Sequence, residues 1–334
     1  MKRLIVIFYV ISVLFFNTCK VSTQQINSGV YIVGNDGNTP VYWINDIKYV
    51  LPYDGDYAIA NCITFYKNNI YIVGTEYTGI IQNPVFWLNG TRNELPYDVY
   101  RGGGANAIAT DDNNIYIVGH VQTTPNYFPV IWINGKLYGL IDSNVGIAND
   151  IIIDSKIIYI TGWDRNNAVY WIDDGKNENM EILPDIGDNA FANSIIKNNN
   201  NIYIVGSNRD KGNSFPILWE NSKRIPLNIL GSYGVAHDIS INNNDIHIVG
   251  YDKSFISDFK IPIHWINGIR NTLPITETDG EASSIFISDN NVYIGGVDGS
   301  VFDSTKPVYW KNNEKINLPI ENEWGWVYDI IVIE

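Results

Sequence analysis

The sequence predicts an all-β fold, a seven-bladed β-propeller with four antiparallel strands in each blade. Three observations predict it. A five-residue apolar phrase ending in Gly recurs seven times, each copy is followed by a phrase ending in Trp, and the two chain ends complement each other. The predicted organisation is a signal peptide over residues 1–19, a short linker over 20–28 and the propeller over 29–334.

The Gly-ended phrase is predicted to be a buried strand, because it is apolar, rich in β-branched and aromatic residues, and mostly preceded by Asn-rich turns. Its copies are VYIVG at 30–34, IYIVG at 70–74, 115–119 and 202–206, IYITG at 158–162, IHIVG at 246–250 and VYIGG at 292–296.

The Trp-ended phrase is predicted to be the next strand. Seven of the ten Trp residues end it, and successive copies lie 39 to 48 residues apart. The copies are PVYW (40–43), PVFW (84–87), PVIW (129–132), AVYW (168–171), PILW (216–219), PIHW (262–265) and PVYW (307–310).

Two further phrases complete each repeat. A Leu-Pro pair follows the Trp in five repeats, and we align Gly139-Leu140 and Ile225-Pro226 with it in the third and fifth. An Ala-x-x-Ile phrase then precedes each turn into the next repeat, for example Ala60 to Ile63. Four short strands in about 45 residues are typical of a propeller blade.

The chain ends predict how the ring closes. The first repeat lacks an Ala-x-x-Ile strand, and the last has a surplus one at 327–333. Pairing the C-terminal strand with the N-terminal strands completes the first blade and hides strand edges that would otherwise invite aggregation.

The repeats resemble those of Kelch-type propellers, and more closely the short extracellular repeats of bacterial surface proteins that read IYIVG…PVYWING…LP. The resemblance covers residues 29–334, although six of the seven strands have a single Gly where Kelch repeats have two. It implies that the Ala-x-x-Ile strand is innermost and that the protein binds or scaffolds more often than it catalyses.

The N-terminus predicts export. Lys2 and Arg3 precede an uncharged run from Leu4 to Phe16, which is too short to span a bilayer and is typical of a signal peptide. Cys19 then resembles the lipidated residue of a bacterial lipoprotein. Lipidation would place the protein on the outer membrane or cell surface. Ordinary cleavage near Thr23 would discard Cys19 and leave a periplasmic or extracellular protein.

Net charge limits the classes of binding partner, and the cysteine count limits the disulfides. The chain has 36 acidic and 22 basic residues, a net charge of −14. A field of that sign disfavours nucleic acid and anionic membranes, so the predicted membrane contact is limited to the possible anchor at Cys19. Cys62 is the only other cysteine, so no internal disulfide is expected.

The resemblance also predicts where recognition occurs. The loops after the Gly-ended strand and those before Ala-x-x-Ile are expected to share one end of the propeller, the variable face. Exposed aromatic rings and carboxylates there suit sugar stacking or a protein interface, whereas the alternative is that the rings only pack between loops. The candidates are Tyr53, Asp54, Asp56, Tyr97, Tyr127, Phe128, Trp163, Asp164, Tyr233, Trp324 and Trp326.

A second candidate set follows the conserved Ala of the inner strand. These polar side chains would line the channel and contact a ligand, or hydrogen-bond neighbouring backbone and join the blades. The set is Asn61, Asn106, Asn149, Asn193 and His237, continued by Ser283 and Tyr328.

No catalytic set is evident, and no cofactor or metal is predicted. The four His residues are dispersed, and Asp54-Gly55-Asp56 lacks EF-hand spacing for calcium. The sequence therefore favours an exported, non-enzymatic module that binds a protein or glycan. The alternatives are a carbohydrate-active hydrolase or lyase with loop carboxylates, and a purely structural envelope protein.

Overall fold

The computed structural model describes residues 27–97, 100–123, 125–254, 259–299 and 304–334. All regular elements in these ranges are strands, 28 in number, with no helix. The first four-stranded unit combines both chain ends: β1 (Gly29–Asp36), β2 (Thr39–Ile44), β3 (Ile47–Val50) and β28 (Gly325–Ile333).

Units two to four follow in chain order. Their strands are β4 (Tyr57–Tyr66), β5 (Asn69–Thr78), β6 (Ile81–Leu88) and β7 (Thr91–Glu94); β8 (Gly103–Thr110), β9 (Ile115–Thr123), β10 (Asn126–Ile133) and β11 (Lys136–Gly139); β12 (Gly146–Asp154), β13 (Ile157–Asp164), β14 (Asn167–Asp173) and β15 (Glu178–Ile182).

Units five to seven complete the chain. Their strands are β16 (Asn189–Asn198), β17 (Asn201–Asp210), β18 (Asn213–Glu220) and β19 (Lys223–Pro226); β20 (Tyr233–Asn242), β21 (Asp245–Lys253), β22 (Lys260–Ile266) and β23 (Ile269–Thr272); β24 (Gly280–Ser288), β25 (Asn291–Asp298), β26 (Lys306–Lys311) and β27 (Glu314–Asn317).

Each unit is an antiparallel meander. Five sheets have four strands, and one sheet of eight strands holds units five and six, which a single parallel pair between Ser214 and Tyr233 joins. In unit one the C-terminal β28 pairs with β1, as predicted, with Ile32 opposite Ile330. The chain therefore closes on itself.

The first strand of each unit contacts the first strand of the next. These contacts run β4, β8, β12, β16, β20, β24, β28 and back to β4. The predicted all-β propeller class is confirmed. The count of seven blades stays a prediction, because units five and six share one sheet. The cycle of seven contacting first strands favours it.

The repeat Trp joins neighbouring units. Its indole N–H donates to a backbone carbonyl of the preceding unit, as Trp87 does to Pro52 at 2.7 Å. Six of the seven Trp are fully buried. The remaining bonds run from Trp43 to Pro319, Trp132 to Pro96, Trp171 to Ile141, Trp219 to Pro184, Trp265 to Asn228 and Trp310 to Pro274.

These bonds correct the alignment of two repeats. In every unit the Leu of this phrase donates its N–H to the carbonyl of the residue three before the repeat Trp, as Leu51 does to Pro40. The corresponding donors are Leu140 in the third repeat and Leu227 in the fifth. The equivalents of Leu-Pro are therefore Leu140-Ile141 and Leu227-Asn228, because the carbonyl that receives the indole N–H can belong to any residue.

Each inner strand carries a β-bulge directly after the first residue of its Ala-x-x-Ile phrase, which is Val327 in β28 and Ala in the other six. The register of β20 with β21 shifts between Ala236 and Asp238, which leaves His237 as the extra residue. The carbonyl before the bulge points at the Gly of the next strand: a Cβ on Gly250 would lie 2.0 Å from the Val235 oxygen. This close approach explains why the phrase always ends in Gly.

The predicted signal peptide and Cys19 lie within residues 1–26, outside the described residues, so export and lipidation stay predictions. Among the described residues no helix is long and apolar enough to cross a membrane.

Candidate functional site

The two predicted sets of loops meet at one end of the units. Tyr57 at the start of β4 pairs with Tyr77 near the end of β5, and the Asp56 N–H donates to the Tyr77 carbonyl at 2.7 Å. The same pairing of a first-strand start with a second-strand end occurs in all units. The variable face is therefore a continuous end of the propeller around the mouth of the channel.

A cavity of about 340 Å³ opens here, between the inner strands β20, β24 and β28. We call it the channel pocket. Its lining residues are His237, Glu281, Ser283, Trp326, Val327 and Tyr328. His237 and Trp326 belong to the two predicted candidate sets, which this pocket brings together, and Glu281 was not predicted.

His237 differs from the other members of its ring. Its Nε2 atom is buried and has no hydrogen-bond partner among the described residues. Burial lowers the pKa of His237. The negative charge of Glu281 opposes this shift, and the positive charge of Lys260 adds to it. The imidazole is therefore neutral at pH 7, and its free nitrogen can accept or donate one hydrogen bond to a ligand.

Glu281 supplies the carboxylate of the pocket. Its side chain is nearly buried and pairs with Lys260, with 2.5 Å between Nζ and Oε2. The same ammonium lies 4.5 Å from the centre of the Tyr251 ring. The charge is thus compensated within the protein, yet the carboxylate still lines the cavity.

Tyr328 completes the pocket as a neutral phenol. Burial raises its pKa well above the ordinary value, and the negative charge of Glu281 adds to the shift. Its hydroxyl therefore keeps a proton to donate throughout the physiological range. Ser283, in contrast, already donates its hydroxyl to the Val327 carbonyl at 2.7 Å.

Several aromatic rings of the variable face pack in pairs. Tyr57 stacks on Tyr77 with centroids 4.2 Å apart, and Tyr233 lies 6.3 Å from Tyr251. Trp163 meets Phe191 edge-on at 6.0 Å. Trp324 is 40% exposed. The predicted rings thus divide into internally packed pairs and a few accessible faces.

The remaining aromatic candidates line the loops of units two and three rather than the channel pocket. Tyr127 meets His120 edge-on at 5.0 Å, and Phe128 lies 6.2 Å from Tyr100. Tyr97 packs against the buried cluster of unit three, and Tyr53 is half-buried.

The predicted acids hold loops instead of facing the pocket. Asp54 pairs with Arg92 at 3.2 Å, Asp56 accepts the Gly79 N–H at 2.7 Å, and Asp164 accepts the Asn144 N–H at 2.7 Å. Over the described ranges, no group of three His, Cys, Asp or Glu residues has a geometry that could hold a metal ion.

The Asn ring joins neighbouring units. Each amide donates to the conserved Ala carbonyl of the next unit, at 2.8 to 2.9 Å. This is the backbone-joining alternative of the sequence analysis. The bonds are Asn61 to Ala105, Asn106 to Ala148, Asn149 to Ala192 and Asn193 to Ala236. The pattern changes at His237.

A second ring, one residue further along the inner strands, was missed by the sequence analysis. Asp238 accepts the hydroxyl of Ser194 at 2.7 Å. The Ser284 hydroxyl lies between two carboxyls, with its Oγ 3.1 Å from Asp238 Oδ2 and 2.8 Å from Asp329 Oδ1. Asp150 lies in the same ring and accepts the Ile195 N–H at 2.9 Å. The signal was the residue before Ile in Ala-x-x-Ile, which alternates among Asp, Ser, Ala and Cys.

The three acids of this ring, Asp150, Asp238 and Asp329, are half-buried on the inner strands. Burial, together with mutual repulsion, raises the pKa of Asp150 to about 7 and that of Asp329 to about 6, and burial raises the pKa of Asp238. No ion pair to a basic side chain compensates these three carboxyls among the described residues.

Asp150→Asn is expected to stabilise the protein at pH 8, on the order of 2 kcal/mol, because it removes a carboxylate that burial penalises. The folded parent holds this proton to higher pH than the unfolded chain does, so its own stabilisation is present below about pH 4 and lost as pH rises towards 7. Urea unfolding at pH 5 and pH 8 measures both effects.

The difference in unfolding free energy between variant and parent isolates the effect of Asp150 from that of His264. The pKa of His264 is lowered to about 4, so its contribution to stability changes with pH in the opposite direction. Asp154→Asn is the matched control, since that carboxyl is exposed and pairs with Lys197. An Asp150→Asn gain that was equal at both pH values would contradict the titration.

Comparisons with known proteins found no matching family model and no matching curated protein. Many solved structures are similar in fold, and two of them are described here. A Mycobacterium tuberculosis puromycin-hydrolyzing peptidase has a TM-score of 0.55 at 10% identity, covering 89% of this chain and 53% of the peptidase. Apo AztD from Citrobacter koseri has a TM-score of 0.52 at 9% identity, covering 91% of this chain and 97% of AztD.

This chain therefore spans about half the length of the peptidase and nearly all of AztD. At such low identity the likeness shows the propeller fold alone.

Proposed function

We propose that the protein is an exported, non-enzymatic binding module that takes a glycan in the channel pocket. The observation that carries the proposal is a cavity of about 340 Å³ whose wall combines His237, a residue with a buried and unpartnered Nε2, with Glu281, Trp326 and Tyr328. A buried polar atom without a partner costs free energy, which a ligand hydroxyl would offset on binding.

The chemistry of the lining fits a sugar. Trp326 and Tyr328 offer rings for the apolar face of a pyranose, while His237, Glu281 and Tyr328 offer polar atoms for its hydroxyls. The volume is at the lower end for a small-ligand site and suits the terminal residues of a glycan. The net charge of −14 favours neutral or cationic sugars over anionic ones.

A protein partner is the second candidate. Trp324 is 40% exposed and Phe259 is 44% exposed, and both belong to the loops of the variable face. Exposed aromatic residues are frequent anchors of protein interfaces. A flat contact of this kind would depend on Trp324 and leave the channel pocket empty.

Binding is favoured over glycoside cleavage by the composition of the pocket. Cleavage usually needs two carboxyl groups flanking the bond. Glu281 is the single carboxylate in the lining, and Lys260 neutralises it. An export signal and an anchor at Cys19 would place such a module at the cell envelope, facing surface glycans.

Glu281→Gln is expected to weaken glycan binding about 10-fold or more, since hydrogen bonds to charged groups contribute about 1.5–3 kcal/mol. Trp326→Ala should reduce it further by removing the stacking face. A glycan array with the mature protein identifies the ligand, and calorimetric titration gives the affinities of the variants.

Glu277→Gln is the matched control, because Glu277 forms an exposed ion pair with Lys306 outside the pocket. It should bind like the parent. Full binding by folded Trp326→Ala would overturn the assignment. Binding of an envelope protein that is lost in Trp324→Ala and kept in Trp326→Ala would instead favour the protein partner.

A further inference from the structure

A second cavity, of about 390 Å³, lies between units three and four. It is lined from the C-terminal half of β10 and the N-terminal half of β13, so it opens near the short turns, at the end opposite the variable face. We call it the side pocket. It shares no residue with the channel pocket.

The side pocket follows from a change at one repeat position. Ile131 occupies the place that Tyr42, Tyr170 and Tyr309 hold in units one, four and seven. In unit one, Tyr42 stacks on Tyr49 with centroids 4.9 Å apart. Unit three keeps the second ring as Tyr138, opposite Ile131 in the register. With Ile in place of Tyr, Tyr138 is 42% exposed and forms a wall of the pocket.

A cavity at a second unit boundary accompanies a similar change. Unit six supports this explanation independently. There His264 replaces the same Tyr, and a cavity of about 550 Å³ lies between units six and seven. In units three and six, a side chain smaller than Tyr at this position thus accompanies an open space at the boundary with the next unit.

The interior of the side pocket is apolar and its rim is acidic. Ile133, Ile158 and Trp171 form part of the floor, and the Trp171 N–H is already bonded to the Ile141 carbonyl at 3.1 Å. Asp173 and Glu178 stand on the wall at the start and end of the β14–β15 turn. Neither forms an ion pair among the described residues.

We propose that the side pocket binds a small apolar molecule that carries a cationic group, such as an alkylammonium ion. The isoleucines and Trp171 would bury the apolar part, since enclosed apolar pockets of this volume are typical small-ligand sites. The two carboxylates would neutralise the cation. Lys136, whose ammonium lies 5.0 Å from the Tyr138 ring, leaves the surroundings net negative.

The test uses hexyltrimethylammonium as the probe, with hexanol and hexanoate as its neutral and anionic counterparts. Titration of the mature protein by calorimetry, or by intrinsic Trp fluorescence, should give the order cation, alcohol, anion. Asp173→Asn combined with Glu178→Gln should reduce the preference for cation over alcohol about 10-fold while alcohol binding persists. Equal binding of cation and anion by the parent would overturn the proposal.

Ile131→Tyr should abolish binding of all three probes by filling the pocket with the side chain that three other units carry. Leu218→Tyr makes a similar change at the same repeat position of unit five and should leave probe binding intact. If Ile131→Tyr fails to fold, Ile131→Phe fills the same space with the side chain that Phe86 provides at this repeat position of unit two. Unchanged affinity in a folded filling variant would overturn the assignment. Glycan binding in the channel pocket should not change in any of these variants.

Discussion

Arg92→Ala is expected to lower the free energy of unfolding by about 3–5 kcal/mol, the cost of leaving a buried charge without its partner. Glu76 is fully buried on β5, and Arg92 on β7 binds both of its carboxylate oxygens at 2.6 Å. The hydrogen bonds to Glu76 raise the pKa of the Arg92 guanidinium. Removing the guanidinium leaves the carboxylate enclosed and unpaired. Chemical denaturation at pH 7 measures the loss.

Two variants separate the buried pair from its exposed surroundings. Glu94→Gln removes an exposed partner of Arg92, 3.2 Å away, and should change stability by less than about 1 kcal/mol. Arg92→Lys should cost less than Arg92→Ala, because Lys48 and Lys315 occupy the same repeat position and pair with Asp36 and Asp298. An Arg92→Ala loss as small as that of Glu94→Gln would contradict the burial of an ionised Glu76.

These pairs show contacts of the predicted acids that the sequence did not reveal. Asp54 and Asp164 were predicted on the binding face because they follow predicted strands. In the structure Asp54 joins the Arg92 network, and Asp164 fastens a loop of its own unit. Each of these contacts joins residues that the fold brings together from positions up to about 40 residues apart in the sequence. Composition and motif spacing do not reveal which residues meet in this way.

The fold, in contrast, was readable because each unit repeats the same physical solution. Buried Trp, Leu, Ala and Gly recur at fixed places, and each copy makes the same contact, such as the indole bond of Trp87 to Pro52. Repetition averages out local ambiguity. It also predicted that β28 would pair with β1.

The channel pocket rests on departures from the repeat, which repetition hides. Glu281 stands where other units have Ile59, Ile147 or Val235, and His237 stands in a ring that is mostly Asn. A single odd residue in one repeat carries little statistical weight. Its meaning appears only when neighbouring strands bring several of them around one cavity.

Gly250→Ala is expected to cost about 3 kcal/mol or more, at or beyond the upper range for overpacking, because a rigid backbone carbonyl occupies the place of the new methyl group. The Cβ would lie 2.0 Å from the Val235 oxygen and 3.0 Å from the Ala236 Cα. The backbone at Gly250 is ordinary strand, so the cost comes from the clash and not from φ. Equilibrium unfolding in urea measures it.

Gly139→Ala is the matched control, because it lies in a strand with open space at its Cβ and no positive φ, and should be nearly neutral. Gly206→Ala places its Cβ 1.9 Å from the Phe191 oxygen and should cost as much as Gly250→Ala. The two sites differ in what the bulge carries: His237 in unit six and Asn193 in unit five. If Gly250→Ala alone were tolerated, the bulge of unit six could relax, and glycan affinity should fall with the displacement of His237. Equal losses at both sites would instead mean that the pocket is built on a bulge as rigid as any other in the ring.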